Sequence, residues 1–460
     1  MQEESITELL KRQRDFYRAG KTVALDFRRA ALEALDAALV RWESDLYEAL
    51  WRDLGKSKTE SYATELGFVR AEIRHTLRHL RRWAAPRRVR TPMMLFPARG
   101  RILQEPYGVA LIIGPFNYPV QLLLEPLVGA IAAGNCAVLK ASELTPHVAQ
   151  VLAELVSQTF DSGHVALVTG GPETAQALLR CRFDTIFFTG STRVGRLVYE
   201  AAAQHLTPVT LELGGKSPVI VSARANLAVA AERIVWGKLL NAGQTCVAPD
   251  YVLAERPIVG ELTEKICKTI TDFYGPDPRR SPDYGRIVTQ SHTERLRGLL
   301  EEDRDRIVFG GETDVESRYV APTVVMAQPS SACMREELFG PILPVLEVGD
   351  LDEAIRFVKE REKPLAAYVF TEDRSEAKRV TRVISFGGGC VNDTITHLIN
   401  PNLPFGGVGL SGLGAYHGKA SFDTFSHAKS IVTKTTRFSV RVQYPPYSEK
   451  KLGLLKKVMK

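Results

Sequence analysis

The sequence predicts an α/β protein with two parallel-sheet blocks and a small β excursion. Three observations predict it. Short, continuously apolar runs alternate with helical stretches from Gly108 onward, and a second block of the same alternation follows from about 217 to 403. Residues 88–104 read instead as a two-stranded excursion, with 421–435 as a returning strand that pairs with it. A run that is apolar at every position belongs to a strand buried on both faces. Helices between such strands supply the crossovers of a parallel sheet.

The elements follow in order. Residues 5–83 read as helices, with Phe27, Ala31, Leu32 and Leu35 at helical spacing. Trp83-Ala84-Ala85-Pro86 closes this part, because proline disfavours a helical predecessor. The excursion turns near Pro97-Ala98-Arg99-Gly100. The first block then offers Val109–Ile113, Cys136–Leu139, Val165–Val168 and Thr185–Phe188 as strands, with Val209-Thr210-Leu211 leading out to Gly214-Gly215. Such a block is a dinucleotide-binding architecture.

Composition narrows the function classes. A chain of 460 residues with 45% hydrophobic and 25% charged residues is an ordinary soluble globular protein. No apolar run approaches the ~20 residues that span a bilayer. The start, Met1-Gln2-Glu3-Glu4-Ser5, is acidic and polar and does not read as a signal peptide. Six cysteines without a Cys-x-x-Cys pair signal neither a zinc site nor a disulfide framework, and fit a reducing, cytoplasmic setting. Nine histidines form no metal-ligand cluster, so no metal is expected. The net charge of +7 gathers partly in Arg74, Arg78, Arg81, Arg82, Arg87, Arg88 and Arg90. Apart from Trp83, which closes the helix, no phenylalanine, tyrosine or tryptophan is interleaved for base stacking, so this reads as a solvated face and no nucleic-acid partner is expected.

Two segments carry chemistry. Cys246 lies in Asn241-Ala242-Gly243-Gln244-Thr245-Cys246-Val247-Ala248-Pro249, and Glu212 in Leu211-Glu212-Leu213-Gly214-Gly215-Lys216. A thiol and a carboxylate are the parts needed to make and then hydrolyse a thioester. An ordinary thiol is only about 3% thiolate at neutral pH, yet that fraction is a strong nucleophile. A carboxylate can activate the water for the second half. Without its neighbours, Cys246 would read as a small buried hydrophobe. Phe188-Thr189-Gly190-Ser191-Thr192-Arg193-Val194-Gly195 follows a strand and opens a helix, where free N–H groups suit a phosphate. It is neither Gly-x-Gly-x-x-Gly nor a P-loop.

These motifs resemble the aldehyde dehydrogenase superfamily, closest to its class 3 or fatty aldehyde branch. That branch reads Gly-Gln-Thr-Cys-Val-Ala-Pro-Asp-Tyr, as residues 243–251 do, and the resemblance runs from about residue 5 to Tyr444–Tyr447. It implies an aldehyde dehydrogenase-like fold: two Rossmann-like open parallel-sheet domains and a small β bridging arm. Residues 1–85 and 105–213 would form the NAD-binding domain and 214–420 the catalytic domain. Residues 86–104 and 421–436 would form the oligomerisation arm, and 437–460 a C-terminal tail.

The resemblance also implies roles. Cys246 is the nucleophile and Glu212 the base. Asn117, in Gly114-Pro115-Phe116-Asn117-Tyr118-Pro119, joins the Cys246 backbone N–H in holding the oxyanion, and Tyr118 lines the entry tunnel. Such donors contribute ~3 kcal/mol each. Lys140 and Glu143 bind the adenosine ribose, although Ala141 stands where the family has proline. Gly190, Ser191 and Gly195 form the turn at the phosphates. Glu337 holds the nicotinamide ribose and Phe339 packs beside the nicotinamide, in Glu336-Glu337-Leu338-Phe339-Gly340-Pro341. His417 is expected to be structural.

The implied activity is NAD(P)-dependent oxidation of aldehydes, medium- to long-chain aliphatic or aromatic, to carboxylic acids. NAD is the expected cofactor, with NADP accepted, because Glu143 would repel a 2′-phosphate. A homodimer is expected from the short N-terminal segment and the class 3-like tail. Two readings compete. A coenzyme-A-acylating relative would lack the hydrolytic Glu212. A catalytically idle structural homologue would have lost at least one of Cys246, Glu212 and Asn117.

Overall fold

The computed structural model describes residues 3–459. The N-terminal helices Glu3–Arg18, Leu25–Arg41, Glu43–Leu54 and Gly67–Ala84 are the predicted ones, and the last ends ahead of Pro86 as the proline requires. The predicted face of Leu25–Arg41 is displaced by one residue at its start. Arg28, not Phe27, is the buried member. Arg28 donates to Ala132 O at 3.1 Å and Thr22 O at 2.8 Å. A guanidinium there satisfies a carbonyl at the C-terminus of helix Gln121–Ala133, where a cation is favoured. Phe27 packs laterally against Phe16 and His164. The arginines at 74, 78, 81 and 82 lie on the solvent face of Gly67–Ala84, opposite buried Val69, Ile73, Leu80 and Trp83.

The first block is a six-stranded sheet. Its spatial order is Gly412–Leu413, Val209–Glu212, Thr185–Thr189, Val109–Ile113, Cys136–Lys140, Val165–Val168. The last five are parallel. The central strands are buried at every position, which is why they read as unbroken apolar runs. The chain runs outward from Val109–Ile113 in one direction, then returns to add Thr185–Thr189 on its other side. That reversal is a topological switch point, where crevices open at the carboxyl ends of strands.

The second block is a seven-stranded sheet, ordered Ile307–Phe309, Thr323–Met326, Ile342–Val348, Tyr251–Glu255, Pro218–Val221, Ala366–Phe370, Gly388–Val391. It too is parallel except for one edge, Ile307–Phe309, and reverses between Pro218–Val221 and Ala366–Phe370. The antiparallel edges, Ile307–Phe309 here and Gly412–Leu413 in the first sheet, are too short to leave a pattern in the sequence.

The excursion is a three-stranded antiparallel sheet of Arg87–Val89, Arg99–Pro106 and Ser426–Thr433. Two details differ from expectation. The connection occupies residues 90–98, with a single helical turn at Met93–Leu95, so Arg99 and Gly100 are already strand. The returning strand begins at Ser426, because Lys419–Thr424 form a short helix that seats on helix Gln121–Ala133. Gly129 permits that seating: a Cβ there would lie 2.7 Å from Ser421 Cβ.

Candidate active site

Six segments converge between the two sheets. The first carries Cys246. After helix Leu227–Leu239 the chain passes through three consecutive left-handed residues, Asn241 (φ 53), Ala242 (φ 52) and Gly243 (φ 77). Two of these are not glycine, and each such residue costs roughly 1–2 kcal/mol. Neighbours enforce the turn. Gln244 donates to Asn241 O at 3.0 Å and Arg286 O at 2.9 Å, and accepts from Val288 N–H at 2.9 Å. Tyr118 and Thr245 share a hydroxyl contact at 2.6 Å, and Tyr368 donates to Val247 O at 2.6 Å. A Cβ on Gly243 would stand 2.3 Å from Gly340 O, so the loop can lie against the 336–341 segment only with glycine there.

Cys246 itself is half-buried amid buried neighbours. Burial, then the charges of Glu212 and Glu337, push its thiol well above the ordinary range. Glu212 ends strand Val209–Glu212 and is 1% exposed. Burial raises its carboxyl to about 7, with the Cys246 thiol and Thr189 hydroxyl pulling the other way. Both approaches are looser than a hydrogen bond of ordinary geometry, since neither Glu212 oxygen has a hydrogen-bond partner. A carboxyl poised near neutrality beside a protonated thiol is the combination a general base needs.

Asn117 is 3% exposed and leaves the carboxyl end of Val109–Ile113. Its Nδ2 donates one N–H to Gln244 O at 3.0 Å, two residues before the thiol. A side-chain amide has two N–H groups, so one remains for a substrate oxygen. Tyr118 is 5% exposed, with its hydroxyl engaged by Thr245 and its ring under the Lys56 ammonium at 4.0 Å.

Sequence reasoning missed what holds this loop. Lys56 and Glu65 form an ion pair at 2.6 Å, both side chains fully buried. Lys56 Nζ also donates to Asn117 O at 2.8 Å. Glu65 Oε2 accepts from Val120 N–H at 3.0 Å and Gln121 N–H at 2.9 Å, satisfying the start of helix Gln121–Ala133. Glu65 reaches inward from Tyr62–Leu66, a single π-helical turn. Two charged residues nine apart at a helix break look like surface, and no local pattern marks them.

The remaining segments flank the switch point. Lys140 is 2% exposed at the end of its strand and donates to Ala141 O at 2.7 Å and Glu143 Oε2 at 3.2 Å. Ser191 caps helix Thr192–Ala203, and Gly190 donates to Glu212 O at 3.0 Å. Gly195 is buried, and a Cβ there would meet Leu213 Cδ2 at 2.6 Å, so it serves helix packing. A Cβ on Gly214 would collide with Glu337 Oε2 at 2.1 Å, which explains one glycine of the Gly-Gly pair. Burial raises the Glu337 carboxyl to about 8, with the Asp250 charge adding to it. Lys216 fixes this segment through Asp250 Oδ2 (2.7 Å), Cys333 O (2.7 Å) and Glu336 O (3.0 Å). Phe339 adopts φ 48 and meets Phe116 edge-to-face at 5.7 Å.

This set fits a dinucleotide. A helix N-terminus with a serine cap suits a pyrophosphate. Lys140 and Glu143 offer a donor and an acceptor for ribose hydroxyls. The Thr189 hydroxyl and Glu212 carboxyl, paired at the ends of adjacent strands, are buried and without hydrogen-bond partners.

A family model described as "Aldehyde dehydrogenase family" matches residues 1–431. The chain is 52% identical over 436 residues to 4,4'-diaponeurosporen-aldehyde dehydrogenase of Staphylococcus aureus, spanning 95% of both chains. It is 46% identical over 446 residues to the Rattus norvegicus protein "Aldehyde dehydrogenase, dimeric NADP-preferring", spanning 96% of this chain and 98% of that one. A solved structure described as "Substrate bound state of Staphylococcus Aureus AldH" superposes with a TM-score of 0.97 at 50% identity, covering 99% of each chain.

Removing Lys56 tests the clamp. Lys56→Met should lower stability by about 3–5 kcal/mol, because it strands the Glu65 carboxylate. The double variant Lys56→Met/Glu65→Gln should recover part of that loss. Denaturant midpoints would measure both, and additive losses in the double variant would refute the coupling.

Proposed function

This chain belongs to the aldehyde dehydrogenase family, and from that premise we propose which residues carry its oxidation of aldehydes to carboxylic acids with NAD or NADP. The supporting observation is the meeting of the two sheets. Cys246 and Glu212 come from different blocks and face one another, while Asn117 is anchored two residues from the thiol.

The fraction of Cys246 that has lost its thiol proton to water attacks the aldehyde carbon through Sγ. The oxyanion of the resulting thiohemiacetal is met by the free Asn117 N–H and the Cys246 backbone N–H, together ~6 kcal/mol at ~3 per donor. When bound, the nicotinamide supplies the hydride acceptor that lets the thiohemiacetal become a thioester. The Glu212 carboxylate then takes a proton from water as the water oxygen attacks the thioester carbon, the C–Sγ bond breaks to return Cys246 as its thiolate, and the acid leaves. Lys140, Glu143, Gly190, Ser191, Glu337 and Phe339 hold the dinucleotide, and Gly195 acts indirectly by seating its helix. This hydrolytic role of Glu212 speaks against transfer to a coenzyme-A thiol, and retention of all three catalytic groups speaks against an idle homologue.

The substrate class proposed is apolar aldehydes, aliphatic of medium to long chain or aromatic. The Phe116–Phe339 pair offers an apolar wall, and the relative of 52% identity is named for 4,4'-diaponeurosporen-aldehyde. NAD is proposed as preferred over NADP by a small margin. Glu143 repels a 2′-phosphate, but its side chain is 40% exposed and pairs with Lys140, so it can move aside. The division into a dinucleotide domain, a catalytic domain, an arm and a tail, with the boundaries given above, belongs to the same proposal. So does a cytoplasmic homodimer. Strand Ser426–Thr433 is the exposed outer edge of the arm, free to bridge a second copy. No helix among the described residues is long and apolar enough to cross a membrane. A light-scattering mass of one or four chains would refute the dimer, and recovery in the membrane fraction would refute the location.

Glu212→Gln should keep the pre-steady-state burst of reduced cofactor and lose steady-state turnover, whereas Cys246→Ser should lose both. In the native enzyme the deacylation rate should fall as pH drops through about 7, since only the ionised carboxylate can accept a proton. A flat profile from pH 5 to 8 would exclude Glu212 as that base.

A kcat/KM series over aldehyde chain length with both cofactors tests the rest. Each added methylene should raise kcat/KM about fourfold until the tunnel is filled, at ~0.8 kcal/mol per buried CH₂. Glu143→Thr should shift the cofactor ratio toward NADP. A wild-type enzyme already favouring NADP would overturn the role given to Glu143.

A further inference from the structure

The first sheet carries a second cavity, at the opposite ends of its strands from the dinucleotide crevice. It measures about 390 Å³ and opens beside the amino ends of Val109–Ile113 and Thr185–Thr189, which are neighbours in the sheet. Helix Glu3–Arg18 contributes Arg14, Tyr17 and Arg18, spaced three and four residues apart and so on one face. The turn before Val109–Ile113 contributes Tyr107, and the segment entering Thr185–Thr189 contributes Arg182 and Asp184. None of these residues belongs to the reaction above.

The charges around this cavity do not balance. Arg14 is half-buried and donates to Arg182 O at 2.6 Å, a backbone partner that leaves its charge unpaired. Arg182 is exposed and has no ion pair among the described residues. Arg18 has only Asp15, at 3.8 Å with both side chains mostly in water, an interaction worth little. Asp184 is the one carboxylate in the lining, and it is anchored. Its Oδ2 accepts from Val109 N–H at 2.8 Å, while its own N–H donates to Val109 O at 3.0 Å. Gly108 makes that fit possible, since a Cβ there would lie 2.3 Å from Asp184 Oδ2. Three guanidinium groups against one carboxylate leave a surplus of two positive charges. A helix C-terminus favours a cation and accounts for Arg18. It does not account for Arg182, which reaches the same cavity from another segment.

Flat walls complete the cavity. Tyr17 donates its hydroxyl to Pro106 O at 3.2 Å, which fixes the ring beside the arginines of its own helix face. Tyr107 is half-buried, with its ring 6.4 Å from that of His427.

We propose that this cavity binds a small phosphate monoester carried on a ring, of the size of a mononucleotide. Such an ester carries about −1.5 to −2 charges at pH 7, which matches the surplus. Guanidinium forks meet its oxygens in pairs. A monocarboxylate would leave one positive charge unmatched. The ring lies against Tyr17 and Tyr107, and the second oxygen of Asp184 accepts from a ring hydroxyl. The volume falls within the roughly 300–1,000 Å³ of small-ligand sites. Binding alone is proposed, with no bond made or broken, and it does not depend on the roles given to Cys246 and Glu212.

Calorimetric titration of the full-length enzyme tests this, with NAD present at saturation so that the dinucleotide crevice is filled. The probes are adenosine monophosphate, ribose phosphate and inorganic phosphate. One saturable site per chain is expected for at least one ester, with inorganic phosphate weaker by on the order of tenfold. Arg18→Gln and Arg182→Gln should each weaken the ester on the order of tenfold, while aldehyde oxidation without ester stays unchanged. Tighter adenosine monophosphate would identify the base as the ring held, and tighter ribose phosphate the sugar. Phenylglyoxal labelling read by peptide mass needs no variant: the ester should shield Arg14, Arg18 and Arg182. No saturable binding of either ester, binding that NAD abolishes, or binding indifferent to both substitutions would overturn the proposal. Inorganic phosphate bound as tightly as the esters would overturn it too, since the rings would then take no part. The Cys246 and Glu212 variants report on the reaction and leave these outcomes untouched.

Discussion

The buried Lys56–Glu65 pair is the constraint on which the catalytic loop depends. Two charges taken wholly out of water are tolerated only if each finds further partners. Here those partners are backbone groups of the loop after Val109–Ile113: Asn117 O for the lysine, Val120 and Gln121 N–H for the glutamate. The cost of desolvation is thereby tied to one loop conformation. If the loop shifts, the ions lose their remaining contacts. The N-terminal helices, far in sequence from the thiol, thus set the direction of the amide that meets the oxyanion. The chain continues the same logic at Asn241, whose amide also donates to Asn117 O at 2.7 Å and so joins the clamp to the nucleophile loop.

A second constraint is closeness. Glu337 lies on Gly214, and Gly340 lies on Gly243, at distances no side chain permits. Both contacts cross between segments that contribute to the site, so the nucleophile loop, the 336–341 segment and the Gly214-Gly215 pair meet with no padding. Water has little room there, and the carboxyls of Glu212 and Glu337 respond by holding their protons to neutral pH. The same dryness that keeps the thiol protonated makes its thiolate, once formed, poorly solvated and reactive.

Much of this was legible in the sequence, for a physical reason. Strands such as Val109–Ile113 and Thr185–Thr189 are buried on both faces, so burial writes itself into every position. The Gly-Gln-Thr-Cys segment is dense in residues whose backbone and side chain are both fully committed, which leaves few alternatives. What stayed hidden is of two kinds. Short antiparallel additions such as Gly412–Leu413 have too few residues to show a period. Interactions that join distant segments, such as Arg28 with Ala132 or Lys56 with Glu65, involve charged residues that read as surface until the fold buries them. The start of the arm strand was misread because the Lys419–Thr424 helix is only six residues long and is stabilised by contact with Gly129 rather than by its own pattern.

The π-helical turn at Tyr62–Leu66 sets stability and catalysis at odds. Such a turn holds one residue more than the helix around it needs. Deleting a residue there would leave a smoother helix leading into Gly67–Ala84, yet would rotate Glu65 by about 100° and swing its carboxylate off the catalytic loop. Length itself is therefore a functional property of this stretch. Relatives should tolerate substitutions at its exposed positions far more readily than a gain or loss of a single residue, and a lineage that straightened this helix would have to find another anion for Lys56.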